Sequence, residues 1–238
     1  MPRPRRGQIL ARVWWLVFLT WILWGISPGE ELQASPRTYS PVIFHTQDGV
    51  RLRGRMYGQG ERVVVLSHMY GTDMRIWHDF AMELSRRGYR ALAYNFRRTG
   101  SFRDFMILGR FPLDTLAAID FVRRDDPEKL FLVGASMGGT ASLVAAALRQ
   151  VDGVVVLSSA MKFYGLDARS ALPRITVPKL FIVGEYDRPF SESARRMYQI
   201  SPPPKELRVY PTAAHGTHLF STPYAPQIKA TIFQFLSQ

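Results

Sequence analysis

Four short apolar runs, rich in β-branched residues and separated by amphipathic stretches, restrict the folds open to this chain more than any other feature. They are Arg62–Ser67 (with Val63-Val64-Val65-Leu66), Leu130–Ala135, Gly153–Ser159 and Lys179–Gly184. A strand wet on one side alternates apolar with polar residues, whereas a continuous apolar run of this length fits a strand covered on both faces. Helical patterns lie between the runs: Ile76–Arg87, which stops at Gly88, Asp114–Arg124, the Ala-rich Met137–Gln150, Ser191–Ile200 and a closing Pro223–Leu236. Further strands are predicted over Arg90–Asn95 and Leu207–Tyr210, and Val50–Tyr57 alternates as a half-exposed strand paired with Pro41–Thr46 in a hairpin. Strands alternating with helices imply right-handed crossovers, and so an α/β fold with a mostly parallel sheet flanked by helices on both faces.

The 238 residues fit one such domain with an N-terminal appendage. Arg3, Arg5, Arg6 and Arg12 precede Val13–Ile26, fourteen residues rich in Trp, Leu, Val and Ile. A basic flank before an apolar stretch this short predicts a secretory signal peptide better than a full membrane span. Ala34 is a candidate cleavage point. Leu32 is large for its place two residues earlier, and Trp14, Trp15, Trp21 and Trp24 suit a membrane interface, so attachment through an uncleaved residue 13–26 segment stays open. The expected organisation is a leader or anchor over 1–34 and one domain over 35–238, exported, with the domain outside the cytoplasm.

The net charge of +12 draws anionic polymers non-specifically. Its arginines are scattered, and no zinc-finger spacing or RNA- or DNA-binding motif accompanies them, so no specific nucleic-acid partner is expected. The chain has no cysteine, which removes disulfides, thiolate metal sites and Cys nucleophiles together. No metal cluster or nucleotide-binding motif stands out, so no cofactor is implied, and nothing in the pattern speaks to oligomeric state.

Chemistry concentrates in Gly134-Ala135-Ser136-Met137-Gly138-Gly139, between the strand ending at Ala135 and the Ala-rich helix. A serine on so tight a strand-to-helix turn takes a strained backbone, and small residues two places either side let neighbouring chain pass close. The turn lifts the hydroxyl above the sheet edge, at a helix N-terminus that favours developing negative charge. A serine hydroxyl is a weak nucleophile alone, so a base and an orienting acid must accompany it. Past later strand ends stand Asp187, after Lys179–Gly184, with Glu185 and Asp167 as rivals, and His215, followed by Gly216, with His218 as rival.

The Gly134-x-Ser136-x-Gly138 elbow with the order Ser136, Asp187, His215 resembles the α/β-hydrolase superfamily. It is similar especially to small members without caps, the carboxylesterase-like and dienelactone-hydrolase-like group, over roughly residues 42–238. Dienelactone hydrolases carry a Cys nucleophile, so Ser136 counts against that particular activity. The resemblance implies a Ser-Asp-His serine hydrolase forming an acyl-enzyme. Many members have His-Gly after the third strand, supplying one oxyanion-hole amide; here the run is His68-Met69-Tyr70-Gly71. It implies the amides of Tyr70 and Met137 as donors, Met69 being the alternative, with His68 structural. The family run Asp-x-Arg-Gly-x-Gly-x-Ser survives in shape as Asn95–Ser101, implying a packing loop, with Arg97 or Arg98 as candidates for the site mouth.

Only residues 160–178 follow the strand where this superfamily commonly inserts a cap, too few for an independent one. Met161 and Phe163 there, with Phe190 and Met69, are candidate substrate-binding residues, and Tyr164, Leu166, Phe102, Phe105 and Met106 could also line an acyl pocket. The expected substrate is a small-molecule acyl ester or thioester of short-to-medium chain. The alternatives are a serine peptidase or amidase, and a catalytically silent binding protein on the same scaffold.

Overall fold

The computed structural model describes residues 38–97 and 105–238. The expectations for residues 1–34, Arg98, Phe102 and the side chains of Phe105 and Met106 fall outside the described residues. The hairpin at the start of the domain is β1 (Ser40–His45) and β2 (Arg51–Tyr57), antiparallel, with His45 opposite Arg51. There follow β3 (Arg62–Ser67), α1 (His78–Arg86), β4 (Tyr89–Tyr94), α2 (Phe105–Leu108), α3 (Phe111–Val122), β5 (Lys129–Ala135) and α4 (Met137–Ala146). The chain continues through β6 (Gly153–Leu157), a small hairpin of β7 (Lys162–Phe163) and β8 (Leu166–Asp167), then β9 (Lys179–Gly184), α5 (Phe190–Ile200), β10 (Lys205–Tyr210) and α6 (Ala225–Leu236).

The main sheet has eight strands in the order β1-β2-β4-β3-β5-β6-β9-β10. β2 meets β4 antiparallel, and every pairing from β4 to β10 is parallel. Successive residues of the apolar runs enter two separate cores, as the period of a strand requires. Val63 and Val65 pack into one buried cluster and Val64 and Leu66 into the other. In β6 the split is Val154 and Val156 against Val155 and Leu157. The first core holds α3 and α4 through Ile119, Val122, Ala141 and Leu143; the second holds α1 and α6 through Phe80, Leu84, Ile228 and Ile232. Each such side chain, fully buried, contributes roughly 1.5–3 kcal/mol.

Several elements depart from the sequence expectation; α3, expected over Asp114–Arg124, runs over Phe111–Val122. The helix expected from Ile76 starts with a 3-10 turn, Met74–Trp77, because Asp73 caps it by accepting the Arg75 N–H at 2.8 Å. Helix α4 ends at Ala146 and not at Gln150; the Leu148 and Arg149 amides both turn back to the Ala145 carbonyl. The stretch 160–178 contains β7 and β8, turning at Tyr164 (φ 39°) and Gly165 (φ 87°).

Arg97 belongs to the frame. It is 6% exposed, and its Nε and backbone N–H donate to the two carboxylate oxygens of the fully buried Asp114 at 2.8 Å each. Its other two nitrogens donate to Asp48 at 2.7 and 3.0 Å, so one guanidinium fastens the loop after β4 to α3 and to the β1–β2 turn. Hydrogen bonds from Arg97 hold the Asp48 carboxyl well below the usual carboxylate range, whereas burial pushes Asp114 up despite the same partner.

Candidate active site

The chain leaves β3 toward β4 on one side of the sheet and leaves β5 toward β6 on the other. Adjacent strands whose connections diverge open a crevice at their C-terminal ends, where ligands bind in sheets of this kind. The loop 68–72 follows β3 and Ser136 follows β5, so both lie at that crevice.

Ser136 sits at φ 50°, ψ −120°, backbone that costs a non-glycine residue of order 1–3 kcal/mol. The turn persists because its surroundings fix it. The Ser136 amide donates to the Leu157 carbonyl at 2.8 Å, and the Ser136 carbonyl accepts from Gly139 and Thr140. A Cβ on Gly134 would come within 2.6 Å of the Gly138 carbonyl oxygen, and one on Gly138 would collide with the carbonyls of Ser67 and His68. Behind the elbow, buried hydroxyls link Thr115 to Tyr94 (2.8 Å), Tyr94 to Ser67 (3.0 Å), and Ser142 to Ser67 and the Gly138 carbonyl (3.3 and 2.8 Å). Burial pushes the Tyr94 phenol pKa up, and the network rigidifies the floor on which α4 begins.

The Oγ of Ser136 lies 2.8 Å from His215 Nε2, and His215 Nδ1 lies 2.9 and 3.2 Å from the two Asp187 oxygens. Residues from the ends of three strands thus meet in one line. Ser136 and Asp187 are 6% and 7% exposed, while the imidazole keeps a wet edge. The rivals lie elsewhere: Glu185 and His218 are exposed, and Asp167 pairs with Lys162 at 2.9 Å in the β7–β8 hairpin.

Met137 is the first residue of α4, so its N–H has no partner within the helix by position. The Met69 carbonyl accepts from His68 Nδ1 at 2.8 Å and from the Thr72 hydroxyl at 2.9 Å. Clamping that carbonyl into the loop turns the Tyr70 N–H, on the opposite edge of the same trans peptide, the other way. His68 is a buried, neutral histidine: Phe96 donates its N–H to Nε2 at 3.2 Å, which leaves the proton on Nδ1, and burial lowers its pKa. The Met69 side chain is turned away from substrate space, 5% exposed, with its sulfur against Gly216 and within 3.4 Å of the Thr217 nitrogen.

Two cavities are lined by neighbours of this pair, Met137 next to Ser136 in one and Phe190 against His215 in the other. One, of about 210 Å³, is lined by Tyr70, Met137, His68 and Phe96 with the polar groups Thr72, Asp73 and Asn95. The other, of about 350 Å³, includes Met161 and Phe190. Phe190 stands between it and the base, its ring centroid 4.1 Å from that of His215. Phe163 lies against Tyr70 (6.0 Å) and Tyr164 (4.9 Å), an aromatic edge between the two loops. Arg97, a candidate for the site mouth, does line the first cavity; Thr72 and Asp73 there and the charged residues of the second were absent from the sequence reading, because strand and helix periods do not show which loop residues converge.

A family model described as Serine aminopeptidase, S33, matches residues 58–166. The polyketide transferase ATR5 of Stachybotrys chlorohalonatus is 30% identical over 132 residues, covering 51% of this chain and 44% of that protein. The chain thus spans less than half the length of this curated relative. The Pyrococcus furiosus esterase PF2001 superposes with a TM-score of 0.72 at 19% identity, over 84% of this chain and 90% of that one. A dienelactone hydrolase from Anabaena variabilis gives 0.68 at 25% identity, over 83% and 96%. The chain has the α/β-hydrolase fold of these solved structures. Like those solved α/β-hydrolase structures, it carries a mostly parallel sheet with helices on both faces.

Proposed function

We propose that this α/β-hydrolase is a serine hydrolase that cleaves carboxylic esters or thioesters through an acyl-enzyme. The observation that carries the proposal is the continuous line of contacts from Ser136 Oγ through His215 to Asp187. In this reading His215 Nε2 takes the Ser136 proton as Oγ attacks the acyl carbon. Asp187 holds Nδ1–H, and so the tautomer, and stabilises the imidazolium. The amides of Met137 and Tyr70 receive the oxyanion, each donor supplying about 3 kcal/mol of barrier lowering. The imidazolium then protonates the leaving group, and water, activated by the same base, releases the acid.

With no independent cap after β6, the site should favour soluble esters of short-to-medium chain, each buried methylene adding about 0.8 kcal/mol until the pocket ends. A panel of esters from acetate to long-chain triglycerides, run with matched thioesters and peptide amides, tests this. Fast turnover of butyrate-sized esters without a rate jump at an interface supports the reading. Preference for long-chain triglycerides, or turnover of amides alone, would overturn it. The amide arm also tests a second reading, a serine peptidase, favoured by the family model over residues 58–166. Export through residues 1–34 belongs to the same proposal, supported by the basic flank and the apolar stretch behind it.

A further inference from the structure

Ser136 and His215 account for bond cleavage but select nothing, so selection falls to the space around them. The cavity past Phe190 is lined by the apolar Ala160, Met161, Pro189 and Phe190 together with the charged Lys162, Arg169, Arg196 and Glu192. Lys162 is committed to Asp167 at 2.9 Å. Arg169 meets the same carboxylate through its backbone N–H, at 2.9 Å, which leaves its guanidinium over. Among the described residues no carboxylate lies within ion-pair distance of the guanidinium of Arg169 or of Arg196, although the Arg169 charge helps to lower the Asp167 pKa. Three cations and one carboxylate, Glu192, thus line the cavity, and the charges of Lys162 and Arg169 also act on Asp167 beside it, which leaves an excess of positive charge next to apolar surface.

An uncharged chain gains only from the apolar lining of such a pocket. A chain ending in a carboxylate gains also from the arginines, because a guanidinium presents a planar fork that matches carboxylate geometry. We propose that this cavity is a specificity subsite for esters that carry a second, ionised carboxylate a few bonds from the scissile carbonyl, with Arg169 and Arg196 receiving that carboxylate. This rests on the serine-hydrolase reading. It adds a substrate class: half-esters of dicarboxylic acids if the charge is on the acyl part, or acyl derivatives of hydroxy acids if it is on the alcohol part.

The test measures kcat/KM of the full-length protein for a neutral ester such as ethyl butyrate against two series of charged esters. Monoethyl succinate and glutarate put the carboxylate on the acyl part, and the butyrate ester of 3-hydroxypropionate puts it on the alcohol part. At least one charged substrate should be preferred, and the preference should shrink from 0.05 to 0.5 M salt as screening shortens toward a few ångströms. Arg169→Ala with Arg196→Ala should lower the charged-to-neutral ratio about three- to tenfold, chiefly through KM, as expected for exposed ion pairs. Glu192→Gln should raise that ratio. If the neutral ester is turned over and neither charged series is preferred, or the double variant leaves the ratio unchanged, the subsite proposal is wrong and the hydrolase reading stands. If neither the neutral nor any charged ester is turned over, the hydrolase reading itself fails, and the subsite proposal with it.

Discussion

The sulfur of Met69 lies 3.4 Å from the backbone nitrogen of Thr217, so one side chain joins the loop after β3 to the turn that follows His215. The Thr217 hydroxyl approaches the same sulfur at 3.6 Å, and a Cβ on Gly216 would collide with it. A buried thioether thus makes the two loops one unit.

Replacing Met69 by Ala should leave a cavity beneath Gly216, costing about 2–5 kcal/mol of stability. Freed of its support, the imidazole should drift from Ser136 and lower kcat by about ten- to a hundredfold, with KM little changed. Met69→Leu keeps the volume and should cost less than about 1.5 kcal/mol. Urea denaturation and steady-state kinetics on both variants check this; equal kcat in Met69→Ala and the parent would show the contact to be packing alone.

Arg97→Ala should destabilise the domain by about 3–5 kcal/mol, because it strands the fully buried Asp114 without its partner. Arg97→Lys keeps the charge but not the fork that reaches Asp114 and Asp48 together, so it should recover only part of the loss. Denaturant midpoints decide it. A loss below about 1 kcal/mol in Arg97→Ala would mean the network does not fasten the loop.

Lys179 is 1% exposed, and its ammonium donates to the Ile175 and Val177 carbonyls at 2.8 and 2.6 Å. Burial, with the Lys205 charge nearby, lowers its pKa from 10.5 to about 8. Below pH 8 both folded and unfolded chains hold this proton, and the burial penalty is full. Between pH 8 and 10.5 the unfolded chain binds more protons, so stability from this group rises with pH. The parent should therefore gain stability relative to Lys179→Met between pH 7.5 and 9.5 in urea titrations; parallel pH profiles would refute the shift.

Strands were the most legible part of the chain, because β3, β5, β6 and β9 are buried on both faces and their composition says so. The boundaries of β9 match the expectation to the residue, and β3 does too. Helix α4 was overextended because the Ala-rich run contains no breaker before the turn at Ala145. In the site, Ser136, Asp187 and His215 were readable because a tight strand-to-helix turn and two strand-end residues leave a local imprint. The Met69–Thr217 contact was not readable, since it joins residues 148 positions apart through a side chain that elsewhere only fills space. Nor was the partnership of Asp48 with Arg97, which depends on where a hairpin turn lands in three dimensions.

Expressed with residues 1–34 in a bacterial host, the protein should leave the cytoplasm, with its arginine flank retained inside. Fractionation with N-terminal sequencing reads both export and cleavage near Ala34. A folded cytoplasmic product with an intact N-terminus would count against export.

The central claim is that Ser136 is a nucleophile activated by His215. The most direct measurement is labelling by a fluorophosphonate, followed by intact mass and peptide mapping, on the parent, Ser136→Ala, His215→Ala and His218→Ala. The account predicts one adduct on Ser136, none in Ser136→Ala, labelling slowed by orders of magnitude in His215→Ala, and near-parental labelling in His218→Ala. An adduct on another residue, or parental labelling in His215→Ala with loss in His218→Ala, would contradict it.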